Sequence, residues 1–429
     1  MKSLALKINK KLYYGWVMMV VSGLAFFFSA PGQTYSISVF INAYNQEFGY
    51  SATQISSAYS IATVFSGLLL IFMGRAVDRY GARRMLIIVA TLLALTAFYN
   101  SFVTNLAMIF FGFFLLRYFG QGSMTLIPNS LVPQWFEKKR AFSMSLAGFG
   151  NLLATMSIPA FNLWMITQYG WPTAWRIWSL ILLIGFVPIA IIFVINRPED
   201  IGISIENSIT GSDDDVKASL LKMESESFTL KQAIKTKEFW FVGFISTIPS
   251  MVSTGITFHF FSMMSLKGVS NQEAAIIIGL IALPAFAMPL IARVLIDNIK
   301  VKYVFFITLV MVILSLAFLI WGVTGYQTAI IFVLLYGTAI AIMSLALNVL
   351  WPNYFGRRYL GSIRGAATVF MVLGSALGPL PFGIGFDLTG GYSIVIGGMM
   401  VYTFIAVIMA LSIQKPEKQD FETPDTFNV

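Results

Sequence analysis

The sequence predicts an all-α membrane protein with twelve transmembrane helices in two pseudo-symmetric six-helix bundles. Three observations predict it. First, the chain repeats itself. Asn129-Ser-Leu-Val-Pro133-Gln-Trp-Phe136-Glu-Lys138-Lys139 returns 219 positions later as Asn348-Val-Leu-Trp-Pro352-Asn-Tyr-Phe355-Gly-Arg357-Arg358. The same shift carries Asp78, in the basic turn from Gly74 to Arg84, onto Asp297, in the segment from Arg293 to Lys302. Second, hydrophobic residues make up 57% of the 429-residue chain and charged residues 11%, against roughly a quarter charged in a soluble domain. Third, runs of about 20 apolar residues recur, the length a helix needs to cross a hydrocarbon core. Two halves in the same order, each of apolar runs joined by basic turns, are the pattern of a transporter with parallel repeats.

The spans follow in order. Lys2, Lys7, Lys10 and Lys11 lead straight into span one (14–41), which reads as a retained span and not a removed signal. Pro31 and Gly32 predict a kink within it, because Pro lacks an N–H and Gly loosens the helix. Span two (53–73) ends in the basic turn, span three (85–104) follows, and span four (106–134) carries Arg117, Gly120 and Gly122. Spans five (141–165) and six (173–196) close the first bundle, with Arg176, Trp171, Trp175 and Trp178 expected as an interfacial belt. The central segment 197–237 is polar, and Gly211 to Asp215 should be a flexible linker. Thr229 and Gln232 look like a capping pair opening a short helix at the membrane surface. Spans seven to twelve lie at 239–264, 272–296, 303–323, 327–353, 364–387 and 392–413, with a bend expected at Pro379 and Pro381. The domains are therefore 1–196, the central loop 197–237, 238–414, and a loose tail 415–429.

Charge fixes direction. Twenty-five of the 28 Lys and Arg residues lie in the amino terminus, the even-numbered turns, the central segment and the tail, all on one side. Arg364 is counted there, in the turn after span ten. Only Arg117, Arg176 and Lys267 fall elsewhere. Cytoplasmic segments retain Lys and Arg, so both termini and the central loop are expected in the cytoplasm, with the chain multi-pass in the inner membrane. The net charge of +9 is dispersed over these turns, which argues against a nucleic-acid partner. With no cysteine there is no disulfide, thiolate metal site or thiol nucleophile. No phosphate loop, nucleophile triad or metal cluster is visible, so neither an enzyme nor an ATP-driven pump is expected, and no cofactor.

The turn from Gly74 through Asp78, Arg79, Gly81, Arg83 and Arg84 resembles the signature between helices two and three of the major facilitator superfamily. Arg117-Tyr-Phe-Gly120-Gln-Gly122 resembles its fourth-helix motif. Tyr14-Gly-Trp16, Phe239-Trp240, His259 with Lys267-Gly268-Val-Ser270, and the run from Tyr354 to Gly365 resemble more narrowly the bacterial monocarboxylate porters and oxalate/formate antiporters. The resemblance implies two six-helix bundles that rock about a central cavity. One departure matters: the position of the substrate-binding arginine in span eight of those relatives holds Pro289. A dianion clamp of two arginines is not expected.

Charge inside a membrane is expensive and usually functional. Arg117, near mid-membrane, is the candidate to attract an anion or orient a proton step; a buried structural Arg is the alternative. His259, the chain's one histidine, can change charge near neutral pH. Gln33 and Tyr35, in a polar run after the expected kink, are expected in a cavity. Asp387 is expected as a helix-end carboxylate. Asp78, Arg79, Arg83, Arg84 and Asp297 are expected to gate, since a carboxylate at one helix lip can bond basic side chains or the free N–H groups of another helix. Asn129 and Asn348 are expected near the inner ends of their spans as gate or packing residues. The expected function is secondary active transport of a small organic anion, a monocarboxylate, by a rocker-switch mechanism, proton-coupled or by exchange. The alternative is a larger amphipathic or neutral compound. The expected partners are that substrate and membrane lipid, with the chain a monomer.

Overall fold

The computed structural model describes residues 2–136, 139–202, 227–288, 299–356 and 359–416. Eleven helical stretches among them are long and apolar enough to cross a membrane. One of these, Phe142–Phe193, has 52 residues, far beyond the roughly 20 that a crossing needs. It breaks at Gly170, whose φ of 77° leaves the helical region, just before Pro172. Divided there, the stretches give twelve helices: α1 (Gly15–Phe48), α2 (Ala52–Tyr80), α3 (Ala82–Asn100), α4 (Leu106–Trp135), α5 (142–169), α6 (171–193), α7 (Lys237–Phe258), α8 (Asn271–Met288), α9 (Val301–Trp321), α10 (Tyr326–Phe355), α11 (Ser362–Thr389) and α12 (Ser393–Leu411). Leu68, Ile71 and Phe72 on α2, Ile184 on α6 and Val401 on α12 are exposed, which suits a surface solvated by lipid and not by water.

Three departures from regular helix geometry bear on the site, in α1, α4 and α7; α6 carries a further π-helical stretch at Ile181–Phe186. In α1 the expected kink is present: a 3-10 turn, Ala30–Gly32, leads to Gln33 in extended geometry (φ −84°, ψ 147°) before the helix resumes at Thr34. In α4 the stretch Leu116–Ser123 is π-helical, a wider turn that frees carbonyls and is common at functional positions. The two irregularities nest. A Cβ on Gly32 would lie 2.2 Å from the Leu116 carbonyl oxygen and 2.7 Å from Gly120 Cα, so only two glycines allow this approach. α7 ends at Phe258; His259 (φ −96°, ψ 10°) interrupts it before a further turn, Phe260–Ser265.

Small residues set the close crossings, as they do where lipid gives helices no hydrophobic reason to associate. Gly150 of α5 lies against the backbone of Gly23 in α1, and Gly378 of α11 lies against α7 at Met251 and Gly255. Across the two bundles, Gly279 of α8 lies against Met156 of α5, and Gly383 of α11 against Ala52 and Ser56 of α2.

The short helix in the central segment is where the sequence places it: Leu230–Ile234, with Thr229 and Gln232 forming a reciprocal capping box. The Gly211–Asp215 linker, most of the tail, Asp297, Arg293 and Pro289 lie outside the described residues. The tryptophan belt is corrected. Trp171, Trp175 and Trp178 are all buried. Trp175 stacks on Phe40 at 4.1 Å and donates to the Tyr44 hydroxyl, Trp178 donates to Asn162 Oδ1, and Trp171 donates to Glu47. Each indole N–H has a polar partner inside the bundle, which holds it there instead of at the lipid interface.

Candidate functional site

A cavity of about 610 Å³ lies between the two bundles. α2 contributes Thr63 and Ser66, α4 contributes Arg117, Gln121, Thr125 and Asn129, α7 contributes Ser250 and Thr254, and α11 contributes Thr368 and Ser375. The α4 residues recur every fourth position, so they form one stripe from mid-helix towards the end that carries the basic turns. That end is called the basic end below, and the opposite end the far end.

Arg117 caps the cavity. It is 4% exposed, and no carboxylate is among the residues that line the cavity. Nε donates to Thr63 Oγ1 at 3.1 Å, and Nη1 reaches the Gly32 carbonyl at 3.5 Å and Thr34 Oγ1 at 3.3 Å. The guanidinium carbon lies 5.0 Å from the centroid of the Tyr59 ring, a favourable cation–π placement. The Tyr59 and Thr34 hydroxyls are 2.8 Å apart, which fixes both. The break in α1 therefore has a local purpose: it turns the Gly32 carbonyl and the Thr34 hydroxyl towards the cation. The Tyr59 side chain is a further hydrogen-bond partner of the guanidinium. The charge is solvated by neutral dipoles and left without a counterion.

The far end is closed above Arg117. Tyr59 packs on Phe258 with centroids 4.5 Å apart. The Nε2 of His259 is 3.0 Å from Ser56 Oγ and 3.1 Å from the Pro379 carbonyl oxygen, so it links α2 with α7 and α11. Its Nδ1 is 3.3 Å from the Tyr392 hydroxyl. At the rim, the carboxylate of Asp387 accepts the backbone N–H groups of Ala52 (3.1 Å) and Thr53 (2.8 Å). A helix-end carboxylate of α11 thus caps the first turn of α2, where free N–H groups and the helix dipole favour an anion. A separate recess of about 240 Å³, lined by Ser38, Asn42, Tyr50, His259, Asp387 and Tyr392, lies on the far side of this layer.

The sequence candidates are thus only partly brought together. Arg117 and Asn129 line the cavity. His259 lines the far recess instead, on the other side of the Tyr59–Phe258 layer. Gln33 and Tyr35 are not among the lining residues: the Gln33 amide folds back to Ser29 Oγ at 3.0 Å, and Tyr35 is 9% exposed. Asn348 lines a recess of about 340 Å³ beside the cavity. At the basic end Asp78 is exposed and makes no ion pair among the described residues. Arg83 Nη2 donates to the Ile191 carbonyl at 3.0 Å, within its own bundle, and Arg79 lies over Tyr80. No contact of Arg84 with the other bundle is seen among the described residues. Thr34 stood in the polar run that the sequence marks, behind Gln33 and Tyr35; Tyr59, Thr63 and a site role for Arg364 were missed from the sequence. The stripe Ser56, Tyr59, Thr63, Ser66 at helical spacing on α2 was the signal available for two of them.

The family profile described as Major Facilitator Superfamily matches residues 16–379. No curated relative matches the chain by sequence. Among solved structures, a bacterial homologue of the human lysosomal transporter Spinster, in an inward-facing and unoccupied conformation, matches with a TM-score of 0.67 at 13% identity, covering 94% of this chain and 96% of that one. The same homologue in its inward-facing, occupied form gives 0.67 at 13%, covering 95% and 98%. A mutant of the nucleoside transporter NupG gives 0.69 at 14%, covering 93% and 98%. The chain belongs to the major facilitator superfamily; it is a multi-pass membrane transporter and not an enzyme.

Proposed function

We propose that this member of the major facilitator superfamily carries a small organic monoanion of the monocarboxylate class, and that the cavity opens to the cytoplasm at the basic end. One observation carries the reading: Arg117, a buried cation with no counterion, sits at the head of a cavity lined by hydroxyls and amides. A buried charge held only by neutral partners carries a desolvation cost of several kcal/mol, which an arriving anion offsets in part. A carboxylate arriving at the guanidinium supplies the missing anion, and a charge-assisted hydrogen bond there contributes about 1.5–3 kcal/mol. The cavity has no acid to attract an organic cation. Leu70, Pro249, Met371 and Val372 also line it and offer a surface for the apolar part of a monocarboxylate.

Alternating access supplies the rest. Asp387, His259 and the Tyr59–Phe258 layer hold the far gate shut in this conformation. Asp78 and its arginines, disengaged here, close the basic end in the opposite one. Since Asp387 is committed to α2, a coupled proton is left with His259 or the substrate's own carboxyl group.

The test is uptake of labelled lactate and formate into proteoliposomes bearing wild type, Arg117→Gln or Arg117→Lys, with and without a pH gradient. Saturable uptake is expected in wild type. Arg117→Gln should raise KM or lower uptake at least about tenfold, the factor for 1.4 kcal/mol, and Arg117→Lys should retain more. A folded wild type that moves neither anion, but whose fluorescence responds to neutral solutes, would overturn the reading.

A further inference from the structure

We infer that Arg364 forms a second anion subsite at the basic end of the same cleft, separate from the one at Arg117. Its physiological ligand rests on the anion reading above; its geometry does not. Arg364 lines the recess of about 340 Å³ together with Ser246, Ser344, Asn348 and Trp351. That recess shares Pro249, Ser250, Thr368 and Met371 with the larger cavity, so the two are one continuous cleft. On α11 the residues Arg364, Thr368, Met371 and Ser375 recur at spacings of four, three and four, and so form one face. The stripe runs about 16 Å at 1.5 Å per residue. Arg117 stands at the closed head of the cleft, Arg364 near its mouth.

The guanidinium is aimed and not loose. Its Nη2 donates to the Asn348 carbonyl oxygen at 2.7 Å, which ties α11 to α10. Nε and Nη1 make no hydrogen bond among the described residues. The other polar groups of the recess have spent their protons on their own helices: Ser246 on Gly243, Ser250 on Ser246, Ser344 on Ile340, and one Asn348 N–H on Ser344. The uncommitted donors belong chiefly to Arg364. No carboxylate lines the recess. Arg364 lines the recess and Arg117 the larger cavity, so the two cations belong to different parts of the cleft. A single anion then has a second cationic stop on its way between Arg117 and the mouth.

Iodide tests the subsite, because it is a monovalent anion that quenches indole on contact and Trp351 lines the recess. The detergent-solubilised full chain is titrated with iodide and, separately, with neutral acrylamide. Wild type is expected to show an iodide component that disappears in Trp351→Phe. Arg364→Gln should lower the quenching constant of that component about fivefold, the effect of one unit charge at close range in water. Arg364→Lys should keep it, and acrylamide should quench all variants alike. Iodide quenching of Trp351 that is unchanged in Arg364→Gln overturns the inference. So does a parallel change with acrylamide, which would mean repacking and not charge. The assay needs no transported substrate, so it still reads out Arg364 if wild type moves no monocarboxylate.

Discussion

At Arg117 the protein solvates a full charge with two hydroxyls, one carbonyl and one ring. That arrangement depends on Gly32, whose missing side chain lets the broken segment of α1 sit on the π-helical turn of α4. An added Cβ would meet backbone atoms, which cannot swing aside. Gly32→Ala should therefore destabilise the protein by about 1–3 kcal/mol and pull the Gly32 carbonyl and Thr34 away from the cation. Gly148→Ala, with nothing within 4 Å, is the control. Equal melting temperatures for the two variants would contradict the nesting. The sequence made the break legible, because Pro31 cannot donate and Gly32 does not resist. It did not show which polar residue of the run faces Arg117. At a helix break successive side chains point in unrelated directions, so Thr34 reached the cation while Gln33 and Tyr35, the expected pair, turned elsewhere.

Helices α2 and α11 run antiparallel, and each ends in a carboxylate, Asp78 at the basic end and Asp387 at the far end. One of the two is engaged here. Asp387→Asn keeps the acceptor oxygen but removes the charge, which should cost about 1 kcal/mol at a helix N-terminus. The far end would then open more often. Because the chain has no cysteine, Asn42→Cys reports this directly: its labelling by an impermeant thiol reagent should rise in the Asp387→Asn background, and constant labelling would deny Asp387 a part in closure. Asp78→Asn should instead slow turnover while leaving substrate binding nearly unchanged; an unaltered transport rate would remove it from the gate. The spans themselves were legible because each is an apolar run with basic residues at one end and a polar or glycine-containing turn at the other. The π-helical stretch of α4 was not, since hydrogen-bond register leaves no composition signal. The tryptophans misled for a related reason: an indole near a span end suits the lipid interface equally well, and only Tyr44, Asn162 and Glu47 decide that it stays inside.

As a whole the molecule is sealed at one end and hollow towards the other. Under the proposed orientation, Thr125→Cys should be labelled from the cytoplasmic face and protected from the external one; the reverse pattern would invert the assignment. The two-bundle plan was legible from the 219-residue repeat, whereas the conformation was not, because the same repeat serves both end states. Under the anion reading, the carrier is neutral around Arg117 when loaded with a monoanion and positive when empty. The membrane potential then acts on the return of the empty protein and leaves the loaded crossing almost untouched. A full charge moved through 100 mV is worth about 2.3 kcal/mol. Anion-for-anion exchange should thus be nearly insensitive to an imposed voltage, while net one-way flux should change steeply with it.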